Sequence, residues 1–266
     1  MRIGRARRRA EWSLALALGL LVAACDGAPT APTVPTPPDA PGAPQPPEPD
    51  PAPQPQPVLG VERILTYGDS LTEGESSGLR VRLHDPSTPG ISTSYPFKLQ
   101  ALLDARYPTQ NVHVFNGGRG GERATAARDR MVALIDALDP QVMILMTGTN
   151  DLNVGLAFGP IIAAIEELID EAADRGVVVL LATLPRQVEG GRKADAFHLI
   201  EPFNAELADV AADEGIGLID AHPHLLPEHI TPDGIHVNEA GNQRLAELVR
   251  DALVSRYEIP GGARRR

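Results

Sequence analysis

The chain has 266 residues and a single cysteine, Cys25. No disulfide can form within it, and any core must hold by packing alone. Aromatic residues are scarce: five Phe, four Tyr and one Trp. The one tryptophan, Trp12, lies in an N-terminal stretch that reads as removable, which leaves the body without an indole to stack on a sugar ring. Positive charge is also short, with 24 Lys+Arg against 35 Asp+Glu. Five of the basic residues (Arg2, Arg5, Arg7, Arg8, Arg9) belong to that same stretch. An acidic body repels phosphate backbones, so nucleic acid is excluded as an expected partner. The basic end Arg264-Arg265-Arg266 reads as a frayed, solvated tail over residues 259–266.

The first 24 residues have the layout of an export signal: a basic region through Arg9, an apolar run from Trp12 to Ala24, then small residues before Cys25. That run is shorter than the ~20 apolar residues of a spanning helix. Residues 25–58 follow, and from Ala28 to Pro57 nearly every second residue is proline. Such a stretch packs no core. It favours polyproline II at ~3.1 Å per residue, a semi-rigid stalk of up to roughly 90 Å.

About 200 residues remain, enough for one domain with a sizeable core, placed at 59–258. Short apolar runs alternate there with longer helical patterns, the signature of a parallel sheet covered by helices on both faces. Strands are predicted at Arg63–Tyr67, Val112–Phe115, Val142–Met146, Val177–Ala182 and Gly217–Ile219. Helical periodicity predicts helices at Tyr95–Arg106, Arg123–Leu138, Pro160–Arg175, Leu199–Glu214 and Glu239–Ser255, the last capped by Asn238. The fold class is α/β, a three-layer α/β/α sandwich on a five-stranded parallel sheet. Ligands of such sheets sit at the carboxyl ends of the strands.

Four sites follow four different strands in chain order. Gly68-Asp69-Ser70-Leu71 places a serine hydroxyl at the sheet edge. Asn116-Gly117-Gly118-Arg119-Gly120-Gly121-Glu122 offers backbone N–H groups that glycines let approach a ligand closely. Gly148-Thr149-Asn150-Asp151 presents a side-chain amide. Asp233-Gly234-Ile235-His236 sets a carboxylate three residues from an imidazole, within reach of its Nδ1, which would leave Nε2 to take a proton. Taken singly, each is a turn or a cap; together they are hard to obtain by accident. The phosphate loop ending in Gly-Lys-Ser/Thr is absent. So is the Gly-x-Ser-x-Gly elbow of the α/β-hydrolases at Ser70. His222, His224 and His229 lack a familiar zinc spacing and read as loop residues, so no metal site is expected.

The four blocks resemble those of the SGNH, or GDSL-type, hydrolase family, over about Arg63 to Tyr257. The resemblance implies a flavodoxin-like fold and a serine esterase with no metal or organic cofactor. It also implies roles: Ser70 as nucleophile, His236 as general base and then acid, and Asp233 as the group orienting His236. The oxyanion hole would be built from the Ser70 and Gly121 N–H groups and the Asn150 amide, with Gly118 or Gly120 as alternatives to Gly121. Val22-Ala23-Ala24-Cys25 in turn resembles the lipobox of bacterial lipoproteins, in which the cysteine becomes the first mature residue and carries a diacylglyceryl group. Two or more acyl chains make attachment stable, so an exported, membrane-tethered, monomeric enzyme of the cell envelope is expected. Ordinary cleavage after Ala24, releasing a secreted protein with a free thiol, is the alternative.

Within that family, acetylated sugars, lysophospholipids, acyl thioesters and aryl esters are all represented. Export and a stalk favour acetyl groups on polysaccharide. A lipid ester would instead need an apolar acyl channel, for which Leu152, Val154, Leu156 and Phe158 are the candidates; packing against the sheet is the competing account of these four. A catalytically idle surface-binding lipoprotein is the alternative outside the enzyme class. The segment Glu73–Thr93, rich in Gly, Ser, Pro and charge, is expected to loop over the pocket.

Overall fold

A computed structural model describes residues 56–74 and 85–261. The signal stretch, Cys25, most of the proline-rich segment, the middle of the 73–93 loop and Arg264–Arg266 lie outside the described residues. No helix among the described residues is long and apolar enough to cross a membrane.

The main sheet comprises β2 (Arg63–Gly68), β3 (His113–Gly118), β4 (Val142–Met146), β5 (Val178–Ala182) and β6 (Gly217–Ile219), all parallel, in the order β3-β2-β4-β5-β6. The central strand β4 is buried along its whole length and β2 beyond its first residue, as strands covered on both faces must be. The connections between parallel strands of one sheet, right-handed as a rule, distribute the helices to two layers. On one face α2 (Tyr95–Arg106) packs against α7 (Glu239–Tyr257); on the other α3 (Arg128–Leu138), α5 (Phe158–Asp174) and α6 (Ile200–Glu214) lie side by side. This is the three-layer α/β sandwich expected from the alternating pattern. The chain leaves β2 for β3 on one side and returns to β4 on the other, so the direction of winding reverses there. At such a switch point the loops diverge and open a crevice at the carboxyl ends of the strands.

Three local differences from the predicted elements have physical causes. First, β3 runs on through Gly118, because Asn116, Gly117 and Gly118 stay in register with Thr66, Tyr67 and Gly68 of β2. Second, the helix predicted from Arg123 begins only at Arg128. It is preceded by a 3₁₀ turn over Ala124–Ala126, since the Ala124 and Thr125 N–H groups donate to the Asp151 carboxylate (2.7 and 3.3 Å) rather than continuing a helix. Third, β1 (Val58–Leu59) pairs antiparallel with β7 (Glu258–Ile259), which brings Val58 and Ile259, one residue beyond each predicted edge, into the folded body. Asn238 caps α7 as expected, its side chain accepting from Gly241 N–H at 3.0 Å.

Candidate active site

Ser70 opens α1 (Ser70–Glu73) directly after β2. Asp69 is the cap of that short helix, its Oδ1 accepting from Leu71 N–H at 2.9 Å. First in the helix, the Ser70 N–H has no intrahelical partner, and its side chain faces the turn that precedes α7. That turn is closed by Thr231 N–H donating to His236 C=O (2.7 Å) and by pairing of Ile230 with Val237. The Asp233 carboxylate organises its interior: Oδ1 accepts from the Thr231 hydroxyl (2.7 Å) and from the N–H groups of Ile235 and His236 (both 3.1 Å). Its other oxygen, Oδ2, accepts from His236 Nδ1 at 2.6 Å. With Nδ1 committed to Asp233, His236 Nε2 accepts from the Ser70 hydroxyl at 2.9 Å, across 166 positions of sequence.

Burial alone would push the Asp233 carboxyl up. The hydrogen bonds from His236, Thr231 and the two N–H groups outweigh it and hold this carboxyl well below the usual carboxylate range. The structure therefore holds a charged carboxylate, an oriented imidazole and a serine hydroxyl in a line, all three nearly inaccessible; Ser70 itself is 8 % exposed.

The glycine-rich loop after β3 is pinned at Gly118 and Gly120. Asn116 Oδ1 accepts from Gly118 N–H (2.9 Å), and Glu73 Oε2 accepts from Gly120 N–H (2.8 Å). Gly121 sits at φ +77° with open space where a side chain would be. Among the described residues its N–H has no acceptor. Of the three glycines considered for a ligand donor, only Gly121 thus keeps its N–H unspent. Glu122, the next residue, is held by Arg130, whose guanidinium stacks over the Tyr67 ring at 4.5 Å.

Asn150 lies in α4 (Thr149–Asn153), directly after β4. Its Nδ2 donates to Glu122 C=O (2.9 Å) and to Asp69 Oδ2 (3.2 Å), joining the ends of β2, β3 and β4 in one network. Asp151 anchors the other side through Ala124, Thr125 N–H and the Thr125 hydroxyl (2.7 Å). Burial, with the charges of Asp151 and Glu122 adding to it, pushes the Asp69 carboxyl up to about 7 against the Leu71 hydrogen bond. Asp69, Asp151, Glu122 and Glu73 all stand inside or beside the motifs, yet no spacing rule assigned them these supporting contacts.

The other histidines are placed elsewhere. His229 Nδ1 accepts from Leu226 N–H (3.1 Å), His224 meets Arg244 (3.4 Å), and His222 lines a separate cleft with Thr183, Asn204 and Asp220. Among the described residues no three His, Cys, Asp or Glu side chains cluster as metal ligands.

The GDSL-like Lipase/Acylhydrolase family model matches residues 66–244, from the strand before Ser70 to beyond His236. The chain belongs to this family. A curated relative within reach of this GDSL-like hydrolase is an arylesterase of Vibrio mimicus, 28 % identical over 196 residues and covering 73 % of this chain and 88 % of the relative. Among solved structures the hydrolase resembles an acetylxylan esterase from Geobacillus stearothermophilus (TM-score 0.61, 20 % identity, 73 % of this chain and 95 % of that one). It also resembles a lipase/acylhydrolase from Enterococcus faecalis (TM-score 0.63, 20 % identity, 76 % and 100 %). The protein is a carboxylic ester hydrolase of this family.

Proposed function

We propose that the enzyme hydrolyses its ester through a covalent acyl-enzyme on Ser70. One observation carries this reading: the continuous line from Asp233 Oδ2 through His236 (2.6 Å) to Ser70 Oγ (2.9 Å). A serine hydroxyl is a poor nucleophile until a neighbouring base takes its proton. His236 Nε2 takes that proton as Oγ bonds to the carbonyl carbon, and Asp233 stabilises the resulting imidazolium. The tetrahedral oxyanion is met by the N–H groups of Ser70 and Gly121 and by the Asn150 amide, whose longer bond to Asp69 is the one to be shared. Each such donor is typically worth about 3–4 kcal/mol. His236 then returns its proton to the departing alkoxide. In the second half a water loses a proton to His236 as it attacks the acyl carbon; the carboxylic acid leaves and Oγ regains its hydrogen.

The substrate is proposed to be an ester of a short acyl group, with acetylated carbohydrate favoured. Of the four residues considered for an acyl channel, Leu152 is 2 % exposed, Leu156 and Phe158 pack against the core, and Phe158 also stacks edge-on against Phe203 at 5.2 Å. Only Val154, 62 % exposed, faces out. The solved acetylxylan esterase of like fold supports the same direction. The export signal, stalk and lipobox-like Cys25 support an envelope enzyme tethered by a lipid. The test is hydrolysis of p-nitrophenyl acetate, butyrate and octanoate by the enzyme and by Ser70→Ala. Rates falling from acetate to octanoate and vanishing in the variant support both parts. A preference for octanoate would move the substrate to lipid esters.

A further inference from the structure

The segment between β5 and α6 carries no motif, yet it clamps the turn that holds Asp233 and His236. Val188 N–H donates to Gly234 C=O (2.8 Å) and Lys193 N–H to Asp233 C=O (3.0 Å). The backbones meet at Gly191 and Gly234, where a Cβ on Gly191 would lie 2.3 Å from the Gly234 Cα. From this clamp the Lys193 ammonium reaches Asp233 Oδ2 at 3.4 Å, the same oxygen that accepts from His236 Nδ1. The Lys193 side chain is 39 % exposed, whereas that of Asp233 is buried.

We infer that Lys193 is a positioning residue for the Asp233–His236 pair: its ammonium, on the outer side of Oδ2, weakens the pull of the carboxylate on a proton at His236 and thereby extends catalysis to lower pH. This rests on the serine mechanism proposed above. The physical reason is that a cation beside the pair opposes a second positive charge on the imidazole, so His236 stays neutral, and able to act as base, further into acid.

Among the described residues, the other groups around the turn are held by their own contacts or exposed. Ser70 faces His236 from α1, and Thr231 faces Asp233 from its own turn. His229 before the turn bonds Leu226 N–H (3.1 Å), and Glu239 after it pairs with Lys98 (3.2 Å). Glu189, Arg192 and Asp195 of the clamping segment are exposed. Asp69 titrates on the far side of Ser70 and bonds Leu71 and Asn150. Since the clamp is made by backbone groups, replacing the Lys193 side chain leaves it in place.

The experiment is the pH dependence of kcat/KM on p-nitrophenyl acetate for the wild type, Lys193→Met and Lys193→Arg, each at low and high salt. The acid limb of Lys193→Met is expected to move to higher pH by about half a unit at low ionic strength, the size of the effect of a like charge roughly 6 Å away in a water-like dielectric. Lys193→Arg is expected to restore the wild-type limb. High salt should move the wild type toward the methionine variant and leave that variant in place, because partly exposed charges are screened. Limbs that coincide in wild type and Lys193→Met, or a uniform loss of rate without a shift, overturn the inference. Should Lys193→Met fail to fold, a wild-type acid limb unmoved by salt overturns it equally. Full activity in Ser70→Ala would instead overturn the serine mechanism, whatever Lys193 does.

Discussion

The Asn150 amide donates to the Asp69 carboxylate at 3.2 Å, a bond that spans 81 positions of sequence and ties the end of β4 to the end of β2. The same nitrogen donates to Glu122 C=O at 2.9 Å. The shorter bond to Glu122 holds the side chain in place before any substrate arrives, and the longer one to Asp69 is the bond an oxyanion would share. Preorganisation of this kind makes a donor effective in a transition state, because no reorientation is needed as charge develops.

Replacing Asn150 by Ala is expected to lower kcat by about 10² to 10³ with the fold intact, the usual consequence of losing one oxyanion donor. Steady-state kinetics on p-nitrophenyl acetate, with a thermal melt as control, checks this. A wild-type kcat in the variant would remove Asn150 from the mechanism.

Asp69 makes stability depend on pH in a predictable direction. Its folded carboxyl titrates near 7, above the ordinary value of 3.8, so between about pH 4 and 7 the native state holds a proton that the unfolded chain has lost. Stability contributed by this group is present below pH 4 and is lost as pH rises through 7. Asp69→Asn removes that dependence. The stability of the variant relative to wild type should rise between pH 4.5 and 8, by a few kcal/mol at most. Its activity should nonetheless fall, since an amide there turns a donor toward Asn150. Denaturant melts at the two pH values measure the first effect; a relative stability that falls with pH contradicts it.

Asp233 predicts the opposite behaviour. Hydrogen bonds hold its carboxyl well below the usual range, so it stays charged at all working pH values, and the acid limb of the activity profile must report another group. Asp233→Asn should lower kcat by about 10⁴, because the amide no longer favours the Nδ1–H form of the imidazole. A variant within tenfold of wild type would contradict the role given to Asp233.

Two glycines of one loop should respond differently to alanine. A Cβ on Gly118 would stand 2.1 Å from the Glu73 backbone nitrogen, whereas one on Gly121 would meet open space and only the strain of φ +77°. Gly118→Ala should therefore displace α1 and fail in stability and activity together. Gly121→Ala should cost about 1 kcal/mol. Melting temperatures of the two variants decide; equal losses would contradict the packing described.

Much of this was legible in the sequence. β4, β6 and α2 fall on the residues that periodicity assigns, and the four blocks stand after four strands because ligand groups gather at the carboxyl edge of such a sheet. The supporting contacts were hidden for physical reasons. Asp69 and Asn150 meet only because β2 and β4 are neighbours, which no local pattern states. The two-residue strands β1 and β7 are too short to show alternation. Lys193 sits in an irregular segment whose position comes from backbone bonds to Asp233 and Gly234. The start of α3 falls later than periodicity predicts because the Asp151 carboxylate, far along the chain, accepts from the N–H groups of Ala124 and Thr125.

The proposed mechanism turns on Ser70 as the nucleophile driven by His236. Its most direct test is labelling with a fluorophosphonate followed by peptide mass spectrometry of the wild type and His236→Ala. One phosphonyl adduct on the peptide containing Ser70, formed with loss of esterase activity and suppressed by orders of magnitude in the variant, is the predicted result. Full inactivation with Ser70 unmodified, or undiminished labelling without His236, would contradict it.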